Sequence, residues 1–124
     1  MKKVFSLFAA LLLFTNIYSQ EVTFWSDIPN DELATLITDQ MTNTELYSQI
    51  LMFGWAGAEP EEILYQWVSR GLGSVKVFGW NTDDIHLVAK SITNLQKSSH
   101  KNRFQIPLFV ATDQEGGWIR HVKG

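Results

Sequence analysis

The chain has no cysteine, little basic charge and no apolar run long enough to cross a bilayer. Without cysteine there is no disulfide and no lipid anchor of the cysteine-linked kind, so the fold must rest on packing alone. The longest apolar run, residues 4–14, has 11 residues against the roughly 20 of a membrane-spanning helix. It follows Lys2 and Lys3 and gives way to Thr15, Asn16 and Ser19, which is the anatomy of a secretory leader. Residues 1–19 are therefore expected to be a signal peptide, with export to a bacterial periplasm or the extracellular space; a retained anchor is the alternative. Removing Lys2 and Lys3 with the leader leaves 8 basic against 13 acidic residues, a formal charge of −5. That balance argues against nucleic acid or an anionic membrane surface as partner, since both call for a basic face.

What remains is ordinary globular material, 45% hydrophobic and 19% charged, in a length of 124 residues that suits one domain. Residues 20–40 are weakly patterned and read as a lead-in segment, with a short helix around residues 31–37. Order sharpens at Met41. Thr42 and Glu45 stand at capping-box spacing, and Leu46, Ile50 and Leu51 follow at helical intervals, which predicts a helix of about three turns running into ILMFGW. In AEPEEILYQWVSRGLGS, Pro60 suits a first helical turn, Gly71 a C-terminal cap, and Ile63, Leu64, Trp67 and Val68 one apolar stripe. SVKVFGW reads as a β-branched strand. Asn81 or Thr82 then caps a helix carrying Ile85, Val88, Ala89, Ile92 and Leu95 on one face, before the apolar strand IPLFVAT.

Strand, helix, strand, helix, strand predicts a parallel sheet, because each helix is long enough to bring the chain back in the same direction. The tripeptide Phe-Gly-Trp occurs at residues 53–55 and again at 78–80, so one βα unit is written twice, 25 residues apart. The fold class expected from this is α/β, the first three βα units of a (β/α)₈ TIM barrel, incomplete because a whole barrel takes about 250 residues. A flavodoxin-like open sheet is the rival, since it too places ligands at the carboxyl ends of parallel strands.

The chemistry gathers where that last strand ends, in PLFVATDQEGG at residues 107–117. Asp113 and Glu115, two apart on an extended backbone, have α-carbons roughly 6.5 Å apart. A retaining glycosidase pair is spaced at about 5 to 5.5 Å, but its carboxylates must approach the scissile bond from different directions, which neighbours on one short loop do badly. The reading favoured is that Asp113 binds hydroxyls while Glu115, Gly116 and Gly117 shape the loop, the glycines permitting positive φ or close backbone approach. A plain glycine turn with solvated acids is the bland alternative. His86, His100 and His121 lack metal-ligand spacing and are expected to be solvated or structural; no metal and no cofactor is expected. Trp55 and Trp80, at strand ends, are expected to pack rather than to line a pocket.

MTNTELYSQILMFGW, GLGSVKVFGWN and above all IPLFVATDQEGG resemble the N-terminal part of glycoside hydrolase family 3, in its β-N-acetylglucosaminidase (β-N-acetylhexosaminidase) branch, over residues 39–122. The resemblance implies that residues 41–124 are part of a barrel domain, and that the carbohydrate substrate is a terminal β-linked N-acetylhexosamine, as in peptidoglycan or chitin-type oligosaccharides, removed with retention. It implies that Asp113 hydrogen-bonds hydroxyls of the terminal sugar. Where the family commonly has arginine directly after the glycines, this chain has Trp118, with Arg120 two positions on as the candidate to take over the polar contact. Trp118 either stacks on a sugar ring or packs under the loop. The family's nucleophilic aspartate and histidine-bearing acid/base loop are expected beyond Gly124, so no catalytic residue is expected within these 124 residues and the fragment alone is expected to be inactive. A β-glucosidase-type member and a non-catalytic sugar-binding protein are the alternatives.

Overall fold

A computed structural model describes residues 21–122; the expected signal peptide lies outside the described residues. Helix α1 (Asn30–Gln40) is the first helix among the described residues, with Leu33 and Ile37 packing on Phe104 in a small cluster of their own. It is longer than the short helix expected in the lead-in. Helix α2 (Asn43–Gln49) starts on the Thr42–Glu45 capping box, with both reciprocal bonds made, but it runs two turns rather than three. It ends early because Gly73 donates to the Ser48 carbonyl and the chain turns out into β1 (Met52–Gly54).

Helix α3 (Glu62–Ser69) follows, its end closed by Gly71 at φ 106°, a conformation that glycine adopts without strain. Strand β2 (Ser74–Val77) leads through a 3₁₀ turn (Gly79–Asn81) into the long helix α4 (Ile85–Ser99), and β3 (Phe109–Thr112) completes the sheet. Asp84, rather than Asn81 or Thr82, caps α4 by accepting from the amides of His86 and Leu87. Asn81 is committed elsewhere: fully buried, it accepts from the Phe78 amide at 2.7 Å and donates to the carbonyls of Trp55 and Gly57.

The sheet order is β1-β2-β3, all parallel, with Gly54, Lys76 and Ala111 in one cross-strand row and Phe53, Val75 and Val110 in the next. Side chains alternate between faces along a strand, so the two rows look in opposite directions. Val75 and Val77 pack with Leu64, Val68, Val88 and Leu95 from α3 and α4 in the main core. Each such side chain contributes about 1.5 to 3 kcal/mol by leaving water. The face bearing Lys76 has no helix on it among the described residues, and Phe109 there is 66% exposed. Among the described residues the sheet is thus covered on one face only.

The barrel expectation is corrected by this topology. The described residues make a small mixed α/β domain, an open three-stranded parallel sheet followed by a two-stranded antiparallel ribbon of β4 (Gln114–Gly116) and β5 (Ile119–Arg120). A βα repeat of 25 residues is what any parallel α/β unit produces, so the period selects parallel pairing without selecting closure. The flavodoxin-like alternative also fails, because its strand order reverses after the first two strands and this one does not.

Candidate functional site

The repeated Phe-Gly-Trp tripeptide folds into one another rather than into two equal copies. Trp55 of the first is buried in the core; Trp80 of the second is half exposed and donates from its indole N–H to the Trp55 carbonyl at 3.0 Å. Phe78 lies over Gly54, where a Cβ would run into its ring, and stacks on Trp80 with centroids 4.5 Å apart. Packing, expected of both tryptophans, holds for Trp55; Trp80 is pinned by its N–H and leaves one ring face to solvent.

Asp113 follows β3 on the uncovered side of the sheet, two residues beyond Ala111 and therefore on the same face as Lys76. Lys76 reaches along that face and places Nζ 2.8 Å from Asp113 Oδ2. Its ammonium also sits 4.9 Å from the centre of the Phe78 ring. The hydrogen bond from Lys76 holds the Asp113 carboxyl below the ordinary carboxylate range against a smaller opposing effect of burial, with the Lys76 and His121 charges adding to the lowering. The site therefore presents an ionised carboxylate and an ammonium side by side at the strand tip, flanked by an aromatic stack.

The hairpin after Asp113 is fastened at its base. Gln114 donates through Nε2 to the Val122 carbonyl and accepts from the Val122 amide, so one side chain ties both strands of the ribbon. The His121 amide donates to the Asp113 carbonyl at 3.3 Å, and the Thr82 hydroxyl donates to the His121 carbonyl. His121 packs its ring against Phe78, with a buried Nδ1 that has no partner among the described residues. His100 stacks on Trp25, and His86 lies in the first turn of α4.

Of the residues singled out in the sequence, Glu115 lies on β4 and points to solvent, Gly116 and Gly117 form the turn with φ of 89° and 56°, and Trp118 is fully exposed at its tip. Trp118 does not pack under the loop. Arg120 stands opposite Gln114 on β5, exposed, and makes no hydrogen bond to Asp113 among the described residues. The structure thus brings Asp113 together with Lys76, Phe78 and His121, and leaves Trp118 and Arg120 out on the ribbon. Lys76 escaped the sequence reading, although a signal was there: a lysine between two valines in a strand that otherwise reads as buried.

No protein-family model matches the chain, and no curated protein matches it. Solved structures resemble it, two glycosidases among them. One is described as a fungal multi-domain GH3 beta-N-acetylglucosaminidase containing a GCN5-related glucosamine N-acetyltransferase region, with 31% identity over 64% of this chain and a TM-score of 0.59. The other is a glycoside hydrolase family 3 beta-N-acetylglucosaminidase from Paenibacillus sp. str. FPU-7, with 25% identity over 68% of this chain and a TM-score of 0.59. The chain spans only 10% and 16% of those two proteins. The likeness relates it to a region of family 3 N-acetylglucosaminidases, and hence to a hydrolase family. Because one of the two proteins carries an acetyltransferase region as well, the likeness gives the barrel assignment no support.

Proposed function

We propose that the chain is the sugar-gripping part of a glycoside hydrolase acting on terminal β-linked N-acetylhexosamine, and that Asp113 accepts hydrogen bonds from hydroxyls of that sugar. One observation carries the reading: an ionised carboxylate stands at the carboxyl end of a parallel strand, on the open face of the sheet, beside an aromatic stack. A charged acceptor on a sugar hydroxyl contributes about 1.5 to 3 kcal/mol, enough to matter for binding without taking part in bond cleavage. Trp118, exposed at the hairpin tip, is assigned to stacking on a sugar ring, and Arg120 to a polar contact at the same rim; Glu115, Gly116 and Gly117 set the hairpin that presents them. Removal of the sugar with retention belongs to residues other than these. The leader-like first 19 residues fit an exported protein that meets its carbohydrate outside the cytoplasm.

The test is calorimetric titration of the 124-residue chain with N-acetylglucosamine, alongside a chromogenic N-acetylglucosaminide. Binding that falls at least tenfold in Asp113→Ala, with no turnover, is the expected result. Absence of heat with any amino sugar removes the proposal, and turnover by this chain removes the assignment of the chemistry to other residues.

A further inference from the structure

Resting on that reading of Asp113, we infer that Lys76 is a second sugar-binding group, and that the Lys76–Asp113 pair reads two adjacent ring hydroxyls at once. A stability role explains Lys76 poorly. The pair is partly open to water, where ion pairs contribute little. A recognition role accounts for its placement. The ammonium has three N–H groups; one goes to Asp113, and among the described residues it makes no second hydrogen bond. The carboxylate likewise keeps most of its lone pairs free. Donor and acceptor are thus held 2.8 Å apart on one face. Adjacent equatorial hydroxyl oxygens of a pyranose are separated by about one hydrogen-bond length, ~2.9 Å, so one hydroxyl can donate to Asp113 while its neighbour accepts from Lys76.

The surroundings fix this geometry. The Phe78 ring under the ammonium and the Trp80 ring stacked on Phe78 hold the lysine stem to one side, and Trp80 is itself locked by its N–H on Trp55. Trp80, half exposed, is linked to the charged pair through the Phe78 ring and offers an apolar surface on which the C–H face of a sugar can rest. The ligand class is a pyranose with two neighbouring free hydroxyls, which is what the non-reducing end of an N-acetylhexosamine chain presents.

The experiment is a binding titration of the wild-type chain, Lys76→Met, Lys76→Arg and Asp113→Asn with methyl N-acetyl-β-D-glucosaminide and its 3-deoxy and 4-deoxy analogues. Circular dichroism first establishes that each variant is folded. In the wild type, deleting a hydroxyl that Lys76 reads weakens binding roughly 10- to 100-fold. In Lys76→Met the parent sugar already binds that weakly, and the same deletion changes affinity less than twofold; Lys76→Arg restores the sensitivity. If Lys76→Met loses as much as the wild type with both deoxy sugars, the lysine does not touch the ligand and the inference falls while the reading of Asp113 stands. If the wild type binds none of the sugars, or Asp113→Asn binds them as tightly as the wild type, both fall.

Discussion

Glu45–Arg103 and Lys76–Asp113 are both ion pairs of 2.8 Å, yet they sit in regions built on opposite lines. Around the starts of the strands, side chains close back onto the main chain. Arg103 meets Glu45 through both Nε and Nη2 and also donates to the Gln40 carbonyl; Glu45 in turn accepts from the amide and hydroxyl of Thr42. Gln49 donates to the Gly71 carbonyl, and Gln96 both donates to and accepts from Leu108, fixing the entry to β3. Around the ends of the strands Asn81, Thr82 and Gln114 are tied to the main chain in the same way, but the charged pair is not. Lys76 and Asp113 share one contact, and the hairpin beyond them ends in a fully exposed tryptophan. Stability is concentrated where the strands begin, and unsatisfied binding capacity where they end.

The largest expected break in that contrast comes from a single methyl group. Gly73, just before β2, lies against the backbone of Gln49, and a Cβ there would collide with main-chain atoms that have no rotamer to escape into. Gly73→Ala should therefore destabilise by about 3 kcal/mol, at the upper end of overpacking costs. Gly54→Ala, which meets chiefly the Phe78 ring and less closely the Lys76 carbonyl oxygen at 3.2 Å, should cost about 1 kcal/mol because the ring can swing aside. Urea unfolding followed by tryptophan fluorescence measures both; equal costs would mean the strand starts are no more tightly held than the strand ends.

Next in size is Glu45. Arg103 and Thr42 lower its carboxyl from the ordinary 4.5 to about 2. A folded-state pKa below the unfolded one stabilises at pH values above the unfolded pKa, and that stabilisation is lost as pH falls from about 4.5 towards 2. The pair is partly open to solvent, which leaves about 1 kcal/mol for it, and the reciprocal bond from the Thr42 amide contributes about 1 kcal/mol more. Glu45→Ala should thus cost about 2 kcal/mol at pH 7 and flatten the acid limb of the stability curve. Asp113→Ala, at the other end of the strands, should leave the unfolding midpoint where it is. A midpoint that moves as far for Asp113→Ala as for Glu45→Ala would erase the distinction between the two regions.

The same division governs what the sequence made legible. Local signals were readable where local chemistry decides: the Thr42–Glu45 box, Gly71 beyond α3 and the parallel run of three strands are where periodicity and capping residues put them. Which face of the sheet is covered was not readable, because Phe109 and Val110 look alike in sequence and only the helix positions separate them. Closure into a barrel was not readable either, since repeat length is shared by open and closed parallel folds. At the candidate site, Asp113 stood out because a carboxylate after an apolar strand is unusual. Lys76, 37 residues earlier, is joined to it only by strand register, which pairs Lys76 with Ala111. Asn81 was mistaken for a helix cap because its residue type fits one; the long-range carbonyls it serves are 24 and 26 residues away.

Trp118 gives the smallest expected effect on stability and the sharpest reading of the strand-end region. A buried tryptophan truncated to alanine costs about 3 to 5 kcal/mol, so an anchoring role would be plain in an unfolding curve. Here the ring touches water on every side, and the turn that carries it is set by Gly116, Gly117 and the Gln114 clamp rather than by the indole. Trp118→Ala should shift stability by no more than about 0.5 kcal/mol, as other surface changes do. A sugar stacked on the ring would quench or shift its emission, so titrating N-acetylglucosamine into the wild type and into Trp118→Ala separates the possibilities. An emission change that vanishes in the variant, with weaker binding, places the ring against the ligand; a loss of stability above about 1 kcal/mol would instead make it an anchor and return the hairpin to the stable half of the molecule.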